Sequence, residues 1–383
     1  MFKERLFTPG PVSVPPTVMV EMARPFPYHR GSEFADLLDE IEQGLRYLFQ
    51  TMREVLVFSA SGTGAMEAAV VNLLSRREKA LVIRGGKFGE RWGEICSAYG
   101  VEVVPLNVEW GTAVDPDAVR RMMASVPNIR AVFATQSETS TGVLHDIQGI
   151  AEAMKGEDAL LIVDAISGLG AHPMLFDEWG IDVAVTGSQK CLMLPPGLSF
   201  VALSERAWGR VETSDLPKYY WSFLKARKAQ AKGQTPYTPA ITLMVGLRKS
   251  LTLLRSEGLE ALWARHARHA EATRRAVEAL GLPLFTRHPS NVLTIFTVPE
   301  GIDGKSFLRH LRTTYGMIAA GGQEQLAGRV IRISHLGDLD DLDVIGVVSV
   351  LEMALRDVGW QFEVGAGVGA AQKSLMITKE GID

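Results

Sequence analysis

Residues 159–203 read ALLIVDAISGLGAHPMLFDEWGIDVAVTGSQKCLMLPPGLSFVAL, and three short apolar runs stand in that stretch: Ala159 to Asp164, Ile181 to Thr186 and Ser199 to Leu203. Each is built from Val, Ile, Leu, Phe and small residues without regular polar alternation, the composition of a strand covered on both faces. Working upstream, runs of the same kind recur at Val55 to Ser59, Ala80 to Arg84, Val101 to Leu106 and Arg130 to Thr135, separated by helical patterns. Strands that alternate with helices predict an α/β fold: a mostly parallel seven-stranded sheet flanked by helices. Between Ser32 and Thr51 the residues Phe34, Leu37, Leu38, Ile41, Leu45, Leu48 and Phe49 recur at helical spacing, which predicts an amphipathic helix with an acidic outer face.

The pattern changes near Tyr219. The segment YYWSFLKARKAQAKGQTPYTP is basic and aromatic and is then broken by Gly233, Pro236 and Pro239, which reads as a long loop. Helical periodicity dominates from Ala240 to about Leu280. A strand at Val292 to Val298, a helix near Lys305 to Tyr315, a strand at Arg329 to His335 and a helix at Leu339 to Leu355 then make a smaller α+β unit. The expected division is a large domain over 21–255 and a small C-terminal domain over 256–383, with a Gly-rich tail from Gly365 partly ordered on the surface.

A chain of 383 residues, 46% of them hydrophobic, can bury a large core. The formal net charge of −4 offers no basic field for nucleic acid, and no apolar stretch is long enough to span a bilayer. The first residues, MFKERLFTPGPVSVPP, hold no apolar run of signal-peptide length. Two cysteines, Cys96 and Cys191, form neither a disulfide framework nor a zinc pattern, so no metal site is expected and a cytoplasmic location is.

Three positions carry chemistry. Ser59-Ala60-Ser61-Gly62-Thr63-Gly64 follows a strand and opens a helix, where small residues let backbone N–H groups approach a phosphate at the positive end of the helix dipole. The same composition also serves an ordinary strand-to-helix connection, and the spacing is neither that of a Walker loop nor of a dinucleotide fingerprint. Asp164 ends a buried-looking strand at the sheet edge where ligands of open α/β sheets collect. Its carboxylate either caps the following turn or pairs with the pyridine nitrogen of a cofactor. Lys190, in Thr186-Gly187-Ser188-Gln189-Lys190, emerges from a strand end into small residues. A lysine there is either solvated or has its pKa lowered by burial, as a Schiff-base amine requires.

In combination, SASGTGAMEA, ETSTGVL, VDAISGLG and TGSQKCLMLPPG, in this order and spacing, resemble the class V, fold-type I aminotransferases, and especially their alanine-glyoxylate and serine-glyoxylate branch. The resemblance runs from Thr8-Pro9-Gly10-Pro11 to Ile331-Arg332-Ile333, nearly the whole chain. It implies an enzyme that uses pyridoxal 5'-phosphate, with Lys190 as the Schiff-base lysine and the base, and Asp164 on the pyridinium nitrogen. It further implies that Ser61, Gly62, Thr63 and Gln189 bind the phosphate and that Thr139 donates to the ring 3-hydroxyl. Phe88 falls where the family stacks an aromatic on the ring; the animal enzymes usually carry Trp there, and Phe keeps the stacking. Arg332 stands where the family clamps the substrate carboxylate, a task suited to a guanidinium fork. Gly10, in the N-terminal segment 1–20, resembles the substrate-pocket lining, with His29-Arg30 near the same region. Thr235 and Thr238 match a segment that crosses a dimer interface to the partner's cofactor phosphate, which implies a homodimer with shared sites.

The activity so implied is transfer of an amino group from a small amino acid, alanine or serine, to a 2-oxo acid, glyoxylate or pyruvate, by a ping-pong mechanism. Its rivals are phosphoserine, aspartate or aminophosphonate as donor, a lyase or desulfurase on the same scaffold, and a non-catalytic scaffold subunit. A desulfurase needs a cysteine on a mobile loop. Cys191 adjoins Lys190 and Cys96 lies in a predicted helix, so neither suits.

Overall fold

A computed structural model describes residues 3–377. The seven expected strands are all present in one sheet: β1 (Val55–Phe58), β2 (Lys79–Arg84), β3 (Glu102–Asn107), β4 (Ile129–Thr135), β5 (Leu160–Asp164), β6 (Val183–Gly187) and β7 (Ser199–Leu203). Their order across the sheet is β1-β7-β6-β5-β4-β2-β3. β7 is antiparallel to both neighbours and every other pair is parallel. The reason these strands lack polar alternation is visible in β5: Leu161 and Val163 pack into one hydrophobic cluster and Leu160 and Ile162 into another on the opposite face.

Helices cover both faces. α1 (Ser32–Phe49) buries Phe34, Leu37, Leu38, Ile41, Leu45, Leu48 and Phe49 against the first cluster, as its spacing predicts. α2 (Gly62–Leu73) and α3 (Lys87–Ala98) lie on the other side, where Met66, Val70 and Trp92 are fully buried.

Two expectations need correction. The supposed long loop from Tyr219 contains a helix, α4 (Phe223–Gln230): Ser222 accepts the Lys225 N–H as an N-cap, and Phe223 and Ala226, three apart, are buried. Proline and glycine punctuation begins only after it, at Gly233. The Gly-rich tail likewise forms α9 (Ala366–Ile377). Its first turn is capped from outside by the buried Glu352, whose carboxylate accepts the N–H groups of Gly365 and Val368 at 2.9 Å each.

The 240–280 stretch is two helices, α5 (Ile241–Glu257) and α6 (Leu259–Ala279), separated by Gly258 at φ +84°, a conformation that favours glycine. Beyond them a three-stranded antiparallel sheet, in the order β8 (Leu293–Thr297), β10 (Val330–Ser334), β9 (Ala320–Gly321), packs with α7 (Gly304–Tyr315) and α8 (Asp341–Asp357) around a core of its own that includes Phe296, Phe307, Ile331, Ile333 and Val348.

A seam of buried histidines runs where α6 meets the small sheet. His266 and His269 lie on the inner face of α6, His335 bonds Thr294 Oγ1 at 2.9 Å, and His172 bonds Ser290 Oγ at 2.9 Å. Burial, with Arg265 and Arg274 nearby, pushes His172 and His269 down to about 4 and His266 to about 3. These rings stay neutral in the fold, whereas the unfolded chain protonates them below about pH 6.5. The unfolded state therefore takes up the extra protons, and this contribution to stability is lost as pH falls from 6.5 towards the folded values. His266 Nε2 is buried without a hydrogen bond, so leucine can replace the ring without orphaning a partner there. We predict that His266→Leu makes the decline in unfolding free energy between pH 6.5 and 4.5 shallower by about 1.4 kcal/mol per pH unit, one proton's worth. Urea titrations at several pH values measure it; an unchanged slope would contradict the assignment.

Candidate active site

The three chemistry-bearing motifs meet at the C-terminal edge of the sheet. Asp164 ends β5, Gly187 ends β6, and β1 leads through Ser59–Ser61 into α2. The small residues are there because the segments touch: a Cβ on Gly187 would lie 3.3 Å from the Gly62 nitrogen and 3.0 Å from Gln189 Oε1, and a Cβ on Gly62 would overlap Ile166. Ser61 holds the N-cap position of α2 without using its side chain as a cap. The first N–H groups of the helix are thus left without a side-chain cap.

Lys190 points into this edge. Its Nζ donates to the backbone oxygen of Pro9, and a Cβ on Gly10 would overlap the lysine's own Nζ, Cε and Cδ, so only glycine fits at that point. Burial, aided by the positive charge of Arg332 and Arg91 and opposed by Asp164, lowers the Lys190 amine to about 8. Asp164 is raised to about 7, chiefly by burial, with Glu138 adding to the rise and the Ile166 N–H, Lys190 and Arg91 working against it. One carboxylate oxygen, Oδ1, accepts the Ile166 N–H at 2.8 Å.

Arg332, on β10, brings the small sheet to the same place. Nε donates to Gly321 O and Nη1 to Thr139 O, both at 2.8 Å, and these two bonds fix the plane of the guanidinium. Burial lowers Arg332 to about 10, which leaves it a cation at neutral pH. Phe88 sits in the first turn of α3 with the Arg91 guanidinium 4.8 Å from its ring centroid, and Arg91 Nη1 donates to Thr63 Oγ1 at 3.3 Å.

Lys190, Asp164, Gln189, Ser61, Gly62, Thr63, Gly10, Thr139, Phe88 and Arg332 are thus linked by contact or charge. Thr235 and Thr238 are not. They line a small pocket with Val57, Ser59 and Tyr220. Arg30, expected beside the substrate pocket, instead holds this turn, donating to Gln234 Oε1 at 2.7 Å and Thr235 O at 3.2 Å. The Pro9 carbonyl, Arg91 and Glu138 also belong to this edge and carry no signal in the sequence. No residue type signals a backbone oxygen, and a charged residue in a helix or turn ordinarily faces water.

Whether these residues suit pyridoxal phosphate can be tested on their unpaired polar groups. Among the described residues, Gln189 Oε1 is buried without a partner. Asp164 Oδ2, the Thr139 hydroxyl and Arg332 Nη2 form no hydrogen bond either. An acceptor for a pyridinium, a hydroxyl donor, a cation for a carboxylate and a lysine amine of lowered pKa together match the cofactor and an amino acid bound to it.

Fold and site together define an aminotransferase. The family model described as aminotransferase class-V matches residues 21–334, and the chain belongs to that family. A curated relative, the soluble hydrogenase small subunit of Synechococcus sp. (strain PCC 6716), is 41% identical over 97% of this chain and 98% of its own. The serine–glyoxylate aminotransferase of Methylorubrum extorquens is 36% identical over 97% of this chain and 96% of its own. Among solved structures, ureidoglycine-glyoxylate aminotransferase from Bacillus subtilis superposes with a TM-score of 0.94 at 31% identity, covering 98% of this chain and 99% of that one.

An amine at about 8 differs measurably from ordinary lysines near 10.4. We predict that trapping of a small aldehyde on Lys190 by borohydride, followed by peptide mass mapping, shows a pH midpoint near 8. A midpoint near 10.4, shared with the surface lysines, would contradict the buried setting.

Proposed function

We propose that this protein binds pyridoxal 5'-phosphate and transfers an amino group from a small amino acid, alanine or serine, to glyoxylate or pyruvate in two alternating half-reactions. The observation that carries this reading is the buried Lys190 amine at the sheet edge, bonded to Pro9 O and within charge range of both Asp164 and Arg332. The serine–glyoxylate and ureidoglycine–glyoxylate relatives share glyoxylate in their names and differ in the donor. That supports glyoxylate as acceptor and leaves the donor to experiment.

Lys190 would hold the cofactor through Nζ. Ser61, Gly62, Thr63 and Gln189 would hold its phosphate at the positive end of α2. Asp164, as an anion, would keep the ring nitrogen protonated, Phe88 would cover one ring face and Thr139 would donate to the ring oxygen. When bound, the cofactor supplies a carbonyl for the incoming amine and a ring that accepts the electrons of the broken Cα–H bond. Arg332, already oriented by two backbone oxygens, binds the substrate carboxylate through its remaining N–H groups and sets which bond at Cα faces the ring. Lys190 Nζ takes the Cα proton as a neutral amine, a form that its lowered pKa makes accessible near neutral pH, and returns it on the way to product. Gly10 leaves room for that movement.

A desulfurase reading is disfavoured by both thiols. Cys96 and Cys191 are buried, which pushes each up to about 12, far from the thiolate such chemistry requires. The hydrogenase name belongs to that relative; the residues assembled at this sheet edge serve amino-group chemistry. Three of the five cations over 218–232 are engaged elsewhere, which disfavours a phosphorylated donor: Lys218 donates to Ser214 O at 2.9 Å, Lys225 lies 3.8 Å over the Tyr219 ring and Arg227 pairs with Glu54 at 2.9 Å.

We further propose a homodimer in which Thr235 and Thr238 serve the partner's cofactor phosphate. Exposed Tyr219, Tyr220 and Leu224 beside their cavity support such an interface. The proposed division of the chain is a pocket-lining segment over 1–20, a cofactor-binding domain over 21–255 and a small domain from 256. Among the described residues no helix is long and apolar enough to cross a membrane, and a cytoplasmic location is proposed.

The test is an absorbance titration of purified protein loaded with pyridoxal phosphate, using alanine, serine, aspartate and phosphoserine as donors. Conversion to the pyridoxamine form by alanine or serine, and its reversal by glyoxylate, is expected; conversion by none of them would end the proposal. Lys190→Ala should abolish turnover. Arg332→Lys should lower kcat/KM roughly 10- to 100-fold, since one charge-assisted pair is replaced by a point charge of different reach.

A further inference from the structure

Glu138 is a carboxylate in the interior with no cation bonded to it, which ordinarily costs several kcal/mol. Four donors hold it. Oε2 accepts the N–H groups of Phe88 at 3.0 Å and Gly89 at 2.9 Å, and Oε1 accepts the Ser140 N–H at 3.1 Å and its Oγ–H at 2.6 Å. Ser140 Oγ in turn accepts the Lys87 N–H at 3.0 Å. Three consecutive free N–H groups at the start of α3 are thus satisfied by a side-chain pair from a distant turn, while the local N-cap is Gly86, which has no side chain to offer. A Cβ on Gly86 would lie 2.5 Å from both Glu138 Cγ and Ser140 Oγ, so the cap needs that glycine.

The cap joins two parts of the site. Phe88 is the proposed ring-facing aromatic, and Glu138 and Ser140 flank Thr139, whose carbonyl orients Arg332. We infer that Glu138 is a positioning residue: it clamps the start of α3 to the 138–140 turn and so sets the distance between Phe88 on one side of the cofactor and Thr139 with Arg332 on the other. The inference rests on the cofactor reading above. The carboxylate also adds negative charge near Arg332 and Asp164, favouring the guanidinium cation.

Glu138→Gln tests it without changing size. An amide presents one acceptor and one donor, so it must turn N–H against N–H either at Phe88 and Gly89 or at Ser140. The expected result is a pyridoxal phosphate Kd raised about tenfold or more, and, at saturating cofactor, a changed induced circular dichroism of the cofactor band. In the cycle with Phe88→Ala, the two losses should be clearly less than additive, because part of what Glu138 does is done through that aromatic. Ser140→Ala, which removes the hydroxyl and leaves the carboxylate, should shift the dichroism the same way by less, and it serves if Glu138→Gln does not fold. A lowered melting temperature with unchanged dichroism and strictly additive losses would make Glu138 a structural cap and overturn the inference. Failure of the wild-type protein to bind pyridoxal phosphate at all would overturn the cofactor reading itself, and the inference with it; that outcome is recognised before any variant is made.

Discussion

The arrangement depends on keeping one amine dry. Lys190 Nζ lies at the C-terminal edge of a sheet whose central strands are covered on both faces, and the carboxylate that offsets its charge, Asp164, comes from strand β5. In water both groups would be ionised and unremarkable. Buried together they approach each other in proton affinity, the amine falling to about 8 and the acid rising to about 7. Parallel strands make this possible, because β5 and β6 end on the same side and deliver Asp164 and the Ser188–Lys190 turn to one place. Glycines at 10, 62 and 187 then allow three separate segments to close around the amine.

The small sheet supplies what the large one lacks, a fixed cation. Arg332 reaches out of β10 and spends two donors on Gly321 and Thr139, so its orientation depends on both sheets keeping their relation. In the proposed reading, carboxylate recognition by Arg332 thus depends on the placement of the small sheet, whose junction with α6 holds the buried histidines.

Much of this was legible in the chain. Six of the seven strands stood out because burial on both faces removes polar alternation, the exception being the edge strand β3, and the helix over Ser32–Phe49 because burial on one face imposes an apolar stripe. Lys190, Asp164 and Arg332 stood out as a set only through the family resemblance of the motifs that carry them; singly, each reads as an ordinary polar residue. What escaped had physical reasons. The helix over Phe223–Gln230 was hidden because aromatics and lysines obscured a two-residue buried face, and the helix over Ala366–Ile377 because its glycines resemble a flexible tail while its cap, Glu352, comes from another helix. Glu138 escaped for a related reason: a carboxylate that caps a helix fifty residues away leaves no local signature.

The measurement that tests the central claim most directly is borohydride reduction of protein incubated with pyridoxal phosphate, followed by digestion and mass mapping of the peptides. The account predicts a single stable pyridoxyl-phosphate adduct, on the peptide carrying Lys190. An adduct on a different lysine, or none above the scatter of surface labelling, would contradict it.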